Sequence, residues 1–117
     1  MKMMKFVKFP VMFFALLAMP STAFAAPTYS GLNTIKDVVA FQSGNVIFTI
    51  ASAPSSAWSS CNYNHQFVIN TGNTGGRALY DLVLTAQQNG KTVYVVGSGT
   101  CTLASGAEDI DFVQINP

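Results

Sequence analysis

Charged side chains are scarce in this chain: six Lys or Arg and five Asp or Glu among 117 residues, 9% of the total. Three of the cations, Lys2, Lys5 and Lys8, crowd into the first turn of sequence, which leaves only Lys36, Arg77 and Lys91 scattered over the rest. Neutralising phosphates takes clustered Lys and Arg, so nucleic acid is excluded as a partner. Histidine is scarcer still. With His65 alone, a nucleophile that needs an imidazole base has a single candidate, and the base itself needs a third group to orient it. The only cysteines are Cys61 and Cys101, and a metal built on them lacks the further ligands of a closed four-coordinate site. No metal and no cofactor is expected. The chain also has no internal repeat and no low-complexity tract, and no apolar run reaches the roughly twenty residues that span a bilayer.

The longest apolar stretch has the form of an address. After the basic start, Phe9 to Met19 is apolar, with Pro10 inside it and Pro20 beyond it, and Ala23-Phe24-Ala25 supplies an A-x-A cleavage signal. Residues 1–25 therefore read as a signal peptide cut after Ala25. No cysteine sits at that junction to take a lipid. The predicted location is exported, periplasmic or secreted. Residues 26–117 then form one domain with a net charge of −2, large enough to bury a core and small enough to profit from a staple. In an oxidising space a Cys61–Cys101 disulfide is the economical use of the two thiols.

Two periods run through the remainder. NTIKDVVAFQ from Asn33 and VIFTIAS from Val46 alternate with period two around Ser43-Gly44-Asn45 and predict a hairpin with Ile35, Val39 and Phe41 on one face. SAPSSAWSS, Ser52 to Ser60, is a loop by composition. CNYNHQFVIN, Cys61 to Asn70, alternates again and predicts a third strand, with Tyr63, His65, Phe67 and Ile69 on its buried side. After TGNTGG, Leu79, Leu82, Val83 and Ala86 recur at helical spacing. Asn73 or Thr74 suits the cap of that helix and Gly90 its left-handed stop. Lys91–Val96 and Glu108–Ile115 complete five strands. The order β-β-β-α-β-β matches an OB-fold, a partly open five-stranded Greek-key barrel; a different five-stranded α+β layout, with the helix laid across an antiparallel sheet, gives the same string.

Candidates for chemistry each have a plainer rival. Ser98 between Gly97 and Gly99 lacks the outer glycines and the strand-to-helix setting of a nucleophile elbow, so it reads as a turn. Glu108, Asp109 and Asp111 are a possible carboxylate pair of the glycosidase kind, and more simply a solvated strand entrance. His65, in phase with Phe67, reads as a packed histidine. Not being an enzyme is the expectation. Binding is the better prospect: Trp58 lies in a polar loop beside Asn62, Tyr63 and Asn64, and an aromatic plane with amides and hydroxyls suits a sugar face, whereas the rival is Trp58 folded over an open edge of the core.

An upstream cysteine opening a strand, then LYDLVLTAQQNGKTVYVVGSGTC and a closing EDIDFVQI, resembles the small OB-fold B subunits of bacterial AB toxins, in particular the subtilase-cytotoxin and pertussis-like group. The likeness runs from about Val46 to Ile115. It implies a non-catalytic glycan-binding or cell-surface-binding subunit that assembles as a homo-oligomer, a pentamer, beside an enzymatic companion. The alternative is a structural or protein-interaction domain of the periplasm or envelope.

Overall fold

The computed structural model describes residues 26–116; the signal-peptide expectation falls on residues 1–25 and so lies outside the described residues. Five strands and one helix follow in the predicted order: β1 (Tyr29–Ala40), β2 (Asn45–Ile50), β3 (Gln66–Asn70), α1 (Thr74–Gln88), β4 (Thr92–Gly97) and β5 (Ala107–Ile115). The sheet closes in a ring, β1-β2-β3-β5-β4 and back to β1. Four of its contacts are antiparallel; β3 and β5 run parallel over Gln66–Val68 and Ala107–Asp109. The sheet is thus neither open nor wholly antiparallel. Among the described residues no helix is long and apolar enough to cross a membrane.

The interior follows from alternation. Val46, Phe48 and Ile50 on β2, Phe67 and Ile69 on β3, and Val93 and Val95 on β4 are buried, and the Phe48 and Phe67 rings stack at 5.5 Å between centroids. Val83 and Ala86 of α1 enter this core, with Leu79 packed beside them. The helical stripe thus packs onto the core of the ring, and fully burying a side chain such as Val83 is worth about 1.5–3 kcal/mol before entropy.

Both helix ends form where their residues dictate. Asn73 has extended backbone, and its Oδ1 accepts from Gly76 N at 2.7 Å. Gly90, at φ +60, lets its own N–H reach Gln87 O and lets Lys91 N reach Ala86 O, the paired bonds of a Schellman stop. Asn73→Ala removes the cap and is expected to cost about 1 kcal/mol, read as a lower urea midpoint at unchanged slope. Gly76 is required for another reason: a Cβ there would lie 1.7 Å from Asn70 O, so the first turn of α1 seats directly against the end of β3.

Three expectations need correction. β1 starts at Tyr29 rather than Asn33, because Gly31 (φ +62) lets the strand pass an irregularity between Tyr29 and Leu32 and continue its pairing with β4. A second register shift, between Ile35 and Val38, changes the phase of the strand; Val38 turns to the core while Val39 and Phe41 are exposed. β3 starts at Gln66, not Cys61. The stretch before it is folded into turns, Asn62 N to Ser59 O and His65 N to Asn62 O, and His65 adopts φ +56. His65 is consequently exposed rather than packed on the apolar face.

Candidate functional site

The loop that leads into β3 meets the loop between β4 and β5, and two structures hold them together. One is the Cys61–Cys101 disulfide, with Cα atoms 5.9 Å apart. The other is Glu108, which is fully buried and accepts from four donors. Its Oε2 takes Thr28 N and Gly99 N, each at 3.0 Å; its Oε1 takes Thr28 Oγ1 and, at 3.2 Å, Asn62 Nδ2. Every partner is a donor and none is a cation, the set that an acceptor-only carboxylate satisfies. The partners extend the network: Thr28 Oγ1 accepts Ser59 N at 2.8 Å, and Asn62 Oδ1 accepts Gln66 N at 2.9 Å. Three segments, the entry to β1, the 59–62 loop and the 97–99 turn, are therefore tied to one side chain. Among the described residues no buried side-chain nitrogen or oxygen lacks a partner.

This corrects the reading of Glu108 as part of a solvated entrance. Its carboxylate can turn inward because Gly97 on β4, which pairs with Ile110, leaves the space open: a Cβ there would fall 1.8 Å from Glu108 Oε2. The acidic run is divided three ways. Glu108 is interior; Asp109 accepts from Thr100 Oγ1, Thr102 N and Leu103 N and so shapes the 100–103 loop; Asp111 is exposed, at the irregularity of β5. Burial removes Glu108 from any carboxylate pair open to solvent. Ser98 likewise belongs to its turn, with its Oγ 2.7 Å from Thr100 Oγ1.

The aromatic loop separates in the same manner. Trp58 is half-buried, packed on the core with its ring 5.6 Å from Phe67, and the His65 imidazole lies parallel to it at 4.6 Å. Asn62 is enclosed by the Glu108 network. Tyr63 and Asn64 are the members at the surface: Tyr63 is 66% exposed with its hydroxyl 2.6 Å from Ser105 Oγ, and Asn64 N donates to Gly106 O at 3.0 Å. Gly106, at φ +79, makes room for the Tyr63 ring, which a Cβ would meet at 2.5 Å.

Alternation along β2 and β3 adds a set that the sequence reading left aside. With Val46, Phe48, Phe67 and Ile69 inside, Asn45, Thr49, Gln66 and Asn70 fall in the opposite phase, Asn45 directly across from Asn70, and the Ile47–Val68 pair in that phase is apolar with Val68 fully buried. Asn70 Nδ2 donates to Asn45 Oδ1 at 3.0 Å, and Asn45 Nδ2 reaches Leu103 O at 3.2 Å, joining this face to the β4–β5 loop. A cleft of about 270 Å³ opens at its end, where Ile69, Leu79, Leu103 and Ile110 meet Asn70 and Asn73. The alternation of Phe67 and Ile69 with Gln66 and Asn70, from which only Val68 departs, was the signal for these amides.

No protein-family model matches the chain, and neither does a curated protein or a solved structure.

Proposed function

We propose that the chain is an exported, non-catalytic binding domain of OB-fold type that recognises a glycan on the outer face of β2 and β3. A closed order of 1-2-3-5-4 with one parallel pair, and a helix between the third and fourth strands, supports the fold. The disulfide supports an oxidising compartment. One observation carries the ligand class: amides and hydroxyls flanking an apolar Ile47–Val68 pair, without Lys or Arg, on the same molecule as the exposed Tyr63 ring. Amides offer a donor and an acceptor side by side, as paired sugar hydroxyls do, and an aromatic ring covers the apolar side of a pyranose. Within this reading Tyr63 and Asn64 touch the ligand, while Trp58 and Asn62 hold the loop that presents them.

A glycan array with the oxidised protein tests this. Binding to at least one neutral sugar is expected, weakened about tenfold or more in Tyr63→Ala and in Gln66→Ala. Silence across every sugar, with the disulfide intact, removes the glycan claim.

A further inference from the structure

The opposite side of the ring carries a different surface. Pairing register places Tyr29, Val96 and Phe112 in one row across β1, β4 and β5, and Leu32, Tyr94 and Gln114 in the next. Because Val93, Val95 and Val113 face the core, both rows point away from it, with Val96 itself buried at 5% exposure between its exposed neighbours Tyr29 and Phe112. Leu32 is 66% exposed, Tyr29 and Phe112 are also exposed, and the Tyr94 and Phe112 rings contact each other at 6.4 Å. Neither row contains Asp, Glu, Lys or Arg.

We propose that this tile is an interface between two copies of the chain, packed face to face about a twofold axis. A surface without charge offers nothing by which a charged partner would select it, whereas an isologous contact needs only that the patch match itself. An axis between the two rows lays the Tyr29–Phe112 row of one copy on the Leu32–Tyr94 row of the other, with the sheets at the usual separation of about 10 Å. Charge at the margins agrees with this arrangement. Lys91 precedes β4 and the exposed Asp111 precedes Phe112, so they border the tile at opposite ends along the strands, and the twofold carries the cation of each copy towards the acid of the other. Three strands by two rows cover only about 300–400 Å². Stable complexes bury about 800 Å² per partner, so the dimer is a weak one, formed at high concentration.

Sedimentation of the oxidised chain between about 10 µM and about 1 mM reads this directly. The average mass is expected to climb from one chain towards two across that range, and to remain at one chain throughout in Leu32→Glu. Val39→Glu, also at an exposed position but on the other half of β1, is expected to dimerise like the parent. Lys91→Glu should weaken the dimer several-fold, and adding Asp111→Lys should restore it. A constant mass of one chain, a mass of five chains as the toxin resemblance implies, or a dimer that survives Leu32→Glu overturns the proposal.

Discussion

Glu108→Ala is expected to leave the domain largely unfolded at physiological temperature. The side chain accepts from two backbone N–H groups, one hydroxyl and one amide, all in the interior. Truncation strands those donors without water. Each unsatisfied buried donor costs about 1–3 kcal/mol, and even with partial relaxation the sum reaches about 4–6 kcal/mol. A domain of this size has about 5–15 kcal/mol in all. Glu108→Gln separates the chemistry from the packing. Its amide nitrogen can take the place of Oε1 and donate to Thr28 Oγ1, whose hydroxyl proton is free to rotate; Asn62 cannot turn over in response, because its Oδ1 holds Gln66 N. One donor pair then clashes instead of four donors being orphaned, and the expected loss is about 1–3 kcal/mol. Urea midpoints of the parent and both variants give the ranking. If Glu108→Ala fell within 1 kcal/mol of the parent, the node would have no part in holding the loops.

That node marks the boundary of what the chain discloses by pattern. The succession of strands and the helix with its Asn73 cap and Gly90 stop are local, each written in a run of a few residues with period two or 3.6, and the cysteine pair, 40 residues apart, was legible only because the chain has no other thiol. The errors arise where a partner distant in sequence decides. Cys61 to His65 alternates like a strand, yet His65 takes a left-handed turn because Asn62 is committed to Glu108, 46 residues away. The phase of β1 changes at a register shift with β2 that no periodicity of β1 alone contains. Glu108 looks like a surface acid until Gly97, on the neighbouring strand, supplies the space beside it. The candidate site divides on the same line. Tyr63 and Asn64 stay at the surface as their composition suggests, whereas Trp58 and Asn62 are drawn inward by Phe67 and Glu108, contacts that only the closed ring creates.

Reducing the disulfide is expected to lower stability by about 4 kcal/mol, the loop-entropy value for a separation of 40 residues. The Cys61→Ser, Cys101→Ser double variant should match the reduced protein. Position adds a second consequence to the entropic one. Cys61 lies next to Asn62 and Cys101 lies two residues after Gly99, so the bridge aligns two of the four donors to Glu108. Without it both loops can swing away and take their donors back to water, and Glu108 would be held from the Thr28 side alone. The two losses therefore overlap. Combining the cysteine variant with Glu108→Gln should destabilise by less than the two effects added, with a coupling of about 0.5–3 kcal/mol, as for groups in one network. Strict additivity would mean that staple and carboxylate act on separate parts of the fold. Equal urea midpoints with and without reductant would show that the Glu108 network alone keeps the 59–62 and 97–101 loops in register.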